Sequence, residues 1–67
     1  MLLIINGQKQ EHADGITLGA LLETLRLPLS GVVVERNREI VPREALRDLA
    51  LNGGDSLEIV DRSPRAA

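Results

Sequence analysis

The side chains best suited to move a proton or attack an electrophile are His12, the hydroxyls of Ser30, Ser56 and Ser63, and the carboxylates Asp55, Glu58 and Asp61. His12 is the only histidine, so a histidine-based zinc site or a histidine dyad lacks its second member. Its polar neighbours mark it as a solvated strand position. The serines have no base in suitable register, and no G-x-S-x-G elbow occurs. Asp55, Glu58 and Asp61 change face along an extended segment, which denies them the geometry of an acid–base pair. Gly53-Gly54 leads into a strand pattern, not a helix, and so reads as a turn rather than a phosphate cradle. Arg36, Arg38, Arg43 and Arg47 are interleaved with Glu35, Glu39, Glu44 and Asp48, the pattern of a solvated, charge-balanced surface. None of this is an enzyme's constellation, and the sequence reads as a non-enzyme.

Composition narrows the choice further. The chain has 67 residues, ten acidic and eight basic, with no cysteine and no aromatic residue. That length allows one small domain with one core. Lacking cysteine, it has no disulfide, thiolate metal site or cysteine nucleophile. Lacking aromatics, it offers no platform on which bases stack, and its core must be aliphatic. A net charge of −2 argues against a phosphate backbone as ligand. The N-terminal run has neither the basic start nor the length of a signal peptide. No apolar stretch reaches the roughly 20 residues that span a bilayer. The expectation is a soluble cytoplasmic protein with no cofactor, no nucleic acid and no membrane partner.

The elements follow from periodicity and turn chemistry. Leu2 to Ile5 is a short apolar strand, and Asn6-Gly7 suits a type I′ hairpin turn, which needs positive φ at both central residues. Gln8 to His12 is a polar return strand at a sheet edge. Thr17 is placed to cap a helix whose Leu18, Leu21, Leu22 and Leu25 share one face, with Pro28 ending it after about two and a half turns. Val32 to Arg36 is a β-branched strand, Asn37 a turn, and Ile40-Val41 a second short strand. Pro42 opens a helical turn through Leu46 as its first position. Asn52 to Asp55 is a tight turn, and Leu57 to Val60 the last strand. The fold class is α+β: a four- to five-stranded mixed sheet with one main helix across one face and a short helical turn. The first and last strands pair in parallel at its centre, the β-grasp (ubiquitin-like) arrangement. Residues 1–61 form this domain and residues 62–67 a flexible C-terminal tail.

Strand alternation divides the faces. Leu3, Ile5, Val32, Val34, Leu57 and Ile59 point toward the helix. Leu2, Ile4, Val33 and Val60 point away, beside Glu35 and Glu58. An uncovered aliphatic face on so small a domain reads as a partner-docking face, formed by Leu2, Ile4, Val33, Glu58 and Val60.

These residues converge on a family. Asn6-Gly7 after an apolar first strand, Asp14-Gly-Ile-Thr-Leu18 running into Leu21-Leu22, Gly31-Val-Val-Val, Ile40-Val-Pro-Arg-Glu44 and Gly54-Asp-Ser-Leu-Glu-Ile-Val60 together resemble ThiS. ThiS is the small sulfur carrier of thiamine biosynthesis, a β-grasp relative of MoaD and ubiquitin. The likeness is collinear over residues 1–60, and Asn37 to Arg43 is its most specific part. The resemblance implies a carrier with two partners. A ThiF-like adenylyltransferase activates the terminal carboxylate with ATP, sulfur transfer makes a thiocarboxylate, and a ThiG-like thiazole synthase takes the sulfur. Because the sulfur rides on a carboxylate, a chain without thiols is compatible with that role.

The sequence departs from the family at its end. Where the family has Gly-Gly, Ser63-Pro64 is followed by Arg65, Ala66 and Ala67 in the carrier position. Three readings stay open: a ThiS-type carrier, a β-grasp binding or regulatory module without carrier activity, and a domain whose Ser63 onward is a linker to further chain.

Overall fold

Asn6 and Gly7 adopt φ of 50° and 82°, the two left-handed residues that let a two-residue turn match the twist of its flanking strands. They join β1 (Leu2–Ile5) to β2 (Gln8–Glu11) in the register Ile5 opposite Gln8. The computed structural model describes residues 1–62. The tail from Ser63, with Arg65, Ala66 and Ala67, lies outside the described residues.

The helix α1 (Leu18–Thr24) begins where expected: the Thr17 hydroxyl accepts from the Ala20 N–H at 3.2 Å. Its first free N–H groups are satisfied by a neighbouring loop, Leu18 donating to the Leu49 carbonyl and Gly19 to that of Arg47. That approach is so close that a Cβ on Gly19 would stand 2.6 Å from the Arg47 carbonyl oxygen. The helix stops before Pro28 is reached. Arg26 turns left-handed at φ 59°, and the Arg26 and Leu27 N–H groups donate to the Glu23 and Leu22 carbonyls. This is a Schellman closure with arginine where glycine is usual. Leu25 is therefore the C-cap, half-buried against the core instead of a full helical position.

A single 3-10 turn, Leu29–Gly31, which periodicity does not signal, leads into β3 (Val32–Arg36). A second two-residue turn follows, with Asn37 and Arg38 at φ 51° and 72°. It sets Arg36 opposite Glu39 and Glu35 opposite Ile40, so β4 is Glu39–Ile40, one residue earlier than Ile40-Val41. The strand ends there because Pro42 has no N–H to continue a ladder. Pro42, at φ −58° and ψ 145°, caps rather than begins the following 3-10 turn, Arg43–Ala45. The last strand, β5 (Ser56–Asp61), extends one residue beyond Leu57–Val60 at each end.

The sheet order is β2-β1-β5-β3-β4, with β1 and β5 parallel and the other pairs antiparallel. This is the β-grasp, with α1 across one face. Leu3, Ile5, Val32, Val34, Leu57 and Ile59 are buried under Leu18, Leu21 and Leu22, as alternation requires. Val41, Leu46 and Leu51 close the core from the irregular segments. The resulting core is wholly aliphatic.

Two single substitutions test this account in opposite directions. Gly19→Ala forces its Cβ against a backbone oxygen that cannot swing aside, and is expected to cost about 2 kcal/mol in urea unfolding. Arg26→Gly removes a left-handed side chain costing roughly 1–2 kcal/mol and adds roughly 0.5–1 kcal/mol of backbone entropy. The same measurement should give a net gain of about 0.5 kcal/mol.

Candidate docking face and carrier strand

β5 is the central strand of the sheet, and its entry is fixed by a buried acid. Asp55 is 7% exposed. Its carboxylate accepts from Arg36 Nε at 3.0 Å, Asn37 Nδ2 at 3.0 Å and the Asn52 N–H at 2.8 Å. Burial by itself would push this carboxyl up. The donors from Asn52, Asn37 and Arg36 outweigh that and hold it below the ordinary carboxylate range. Asn37 returns the contact, its Oδ1 accepting from the Ser56 N–H at 2.9 Å. The two turns of the family-like motifs are thus one clamp.

A second side chain binds β5 to β1. Asn6 Oδ1 accepts from the Ile59 N–H at 2.8 Å and Nδ2 donates to the Ile59 carbonyl at 3.2 Å. The amide stands in for a strand residue and prolongs the parallel ladder past the hairpin. Arg43 ties down the start of β3, donating to the carbonyls of Leu29, Ser30 and Val32. Arg36, half-buried against Asp55, corrects the expectation that it is solvated, whereas Arg43 is exposed and also holds backbone carbonyls. Arg38 is exposed, and Arg47 pairs only with its exposed neighbour Asp48. His12 shares a hydrogen bond with the Gln10 side chain.

The outer face of the sheet carries the residues expected there, in an arrangement that alternation could not give. Leu2, Val33 and Val60 are 38%, 38% and 52% exposed, Ile4 is half-buried and Glu58 exposed. They do not form one continuous patch. Ile4 stands opposite Ser56 and Lys9, whereas Val60, four residues further along β5, stands opposite Val33. That separates the two apolar groups by about 13 Å along the strand. Glu58 and Glu35, directly opposed, occupy the row between them. Ile40, opposite Glu35 and 67% exposed, joins the Val33–Val60 end. Pairing register alone reveals its part in the face, because Ile40 sits in a two-residue strand with no alternation to read. Val33, Ile40, Pro42 and Arg43 border a surface cleft of about 250 Å³ at that end.

β5 leaves the sheet beside this cluster. The Arg62 N–H donates to the Gly31 carbonyl at 2.7 Å, holding the last described residue against the start of β3. The chain thus emerges from a central strand, next to Val33 and Val60.

A five-stranded mixed sheet of this order, with its first and last strands parallel at the centre and α1 across one face, is a ubiquitin-like β-grasp domain. Comparison places it within that class: the ThiS family model matches residues 3–61, and the chain belongs to the ThiS family of small sulfur carriers. Its fold is similar to the crystal structure of the thiamine biosynthesis protein ThiS from Geobacter metallireducens. That likeness has TM-score 0.81 and 28% identity, covering 98% of this chain and 100% of that one. The solution structure of a thiamine biosynthesis protein from the same organism gives TM-score 0.78 at 27% identity, over 100% of this chain and 90% of that one. A thiazole synthase of Paramagnetospirillum magneticum is 45% identical over 60 residues, 90% of this chain. The chain spans only 18% of that relative's length.

The Asp55 clamp makes stability depend on acid in a defined sense. The folded-state value lies below the unfolded one, so the stabilisation is complete above about pH 5 and is lost as pH falls through the folded-state value. Asp55→Asn should lower the urea midpoint at pH 7, costing about 2–3 kcal/mol. It should also flatten the acid limb that the parent protein shows below about pH 5.

Proposed function

We propose that this domain is the sulfur carrier of thiamine thiazole formation, docking on its partners through the outer face of the sheet. The observation that carries the reading is the emergence of the chain from central β5, held by Arg62 N–H to Gly31, beside Val33 and Val60. A partner seated on that cluster receives the tail in a fixed direction. Leu2, Ile4 and Glu58 extend the contact along the sheet.

The chemistry lies in the partners and in the terminal carboxylate. In a ThiF-like adenylyltransferase the carboxylate attacks the α-phosphorus of ATP and pyrophosphate leaves. Hydrosulfide then attacks the acyl carbon and AMP leaves, which gives the thiocarboxylate. A ThiG-like thiazole synthase consumes the sulfur. The domain is thus substrate and donor, not catalyst, and its need for ATP puts it in the cytoplasm. Arg65, Ala66 and Ala67 occupy the carrier position in the sequence.

A second reading is favoured by the similarity to a segment of a much longer thiazole synthase. In it, Ser63 onward is a linker and the carrier domain docks on a synthase domain of the same polypeptide. An in-frame continuation of the gene past codon 67 supports this reading, and a stop codon there ends it.

Intact-mass measurement of the full chain after incubation with the adenylyltransferase, ATP and sulfide should show one oxygen replaced by sulfur at the C-terminus. An unchanged mass defeats the carrier reading. Val60→Asp, which places a charge in the apolar cluster without touching the core, should lower kcat/KM for ATP–pyrophosphate exchange by about tenfold or more.

A further inference from the structure

At the centre of the outer face two carboxylates confront each other. Glu35 and Glu58 are directly opposed in the β3–β5 register and both are exposed. Opposed side chains have Cβ atoms about 5 Å apart, where like charges destabilise a sheet. Among the described residues neither has an ion-pair or hydrogen-bond partner. The nearest guanidinium in sequence, that of Arg36, is held at the inner side by Asp55. Lys9 lies two strands from β5, opposite Ile4. Among the described residues no cation pairs with either carboxylate, so in the free domain their repulsion is eased by solvent alone.

The surroundings say what relieves it. Val33 and Val60 form the next row along the strands, and Ile40 flanks Glu35 on its open side. A partner that covers these apolar side chains strips water from the two carboxylates, and charges so desolvated interact far more strongly than in water. Building on the docking reading above, we infer that the thiazole synthase surface seated here presents a basic side chain, arginine or lysine, to Glu35 and Glu58 together, within an aliphatic rim. Two adjacent carboxylates match the several donors of a guanidinium. The pair selects the partner by charge, while Val33, Ile40 and Val60 supply the buried area.

The test uses the full chain and the thiazole synthase chain of the same cell, freed of any ThiS-type domain of its own. Their affinity is measured by titration calorimetry at low and high sodium chloride. Glu35→Gln with Glu58→Gln should raise the melting temperature by removing the repulsion, weaken binding at low salt about tenfold or more, and abolish most of the salt dependence. Unchanged affinity and salt dependence in this variant overturn the inference. Val33→Ser with Val60→Ser separates it from the docking reading. If that variant loses binding while the glutamine variant does not, docking stands and the charge pairing falls. If the serine variant binds as the parent does, the docking reading falls and takes this inference with it.

Discussion

The contact between β1 and β5 is the constraint on which the rest of the domain depends. It joins the two ends of the chain, parallel and at the centre of the sheet, across some fifty residues of sequence. Closing so long a loop is costly in chain entropy, and only two residue pairs, Ile4–Ser56 and Ile5–Leu57, define the register. Side chains complete what the short ladder leaves undone. Asn6 brackets Ile59 with two side-chain hydrogen bonds beyond the last ladder pair. With β5 so placed, β3 pairs on its free side and α1 has a continuous aliphatic surface to cover.

The buried acid at the start of β5 serves the same end. Asp55 organises its own turn through the Asn52 N–H, then reaches across to Arg36 and Asn37 on the β3–β4 hairpin. A carboxylate this buried is tolerated because every direction from which water was removed is filled by a donor. No buried side-chain nitrogen or oxygen among the described residues lacks a partner. Asp55, Asn37 and Arg43 are thus accounted for by folding. That leaves the outer face, with its apolar ends and opposed glutamates, as the part of the molecule whose composition folding does not explain.

Division of labour between faces accounts for the contrast. Inner positions alternate faithfully, aliphatic and buried, until Arg36 at the end of β3, whose charge Asp55 meets. Outer positions are free of that demand, so a valine or isoleucine there is an excess over what the core needs. At Val33 and Val60 the excess lies beside the end of β5.

The sequence by itself determined the hairpin at Asn6-Gly7, the Thr17 cap, the amphipathic α1, the alternation of β1, β3 and β5, and from their order the β-grasp. These are local signals, set by φ preferences and side-chain period, and they need no knowledge of what lies across the sheet. The absence of cysteine also determined that no thiol of this chain takes part in any sulfur chemistry. The role of Asp55, the carbonyl-binding of Arg43, the membership of Ile40 in the outer face and the opposition of Glu35 to Glu58 were decided only by tertiary structure. Each depends on pairing register or on a contact between segments remote in sequence, and neither is encoded in the period of any one strand. For the same reason the apolar outer residues, which alternation presents as a single set, divide into two ends with the carboxylates between them.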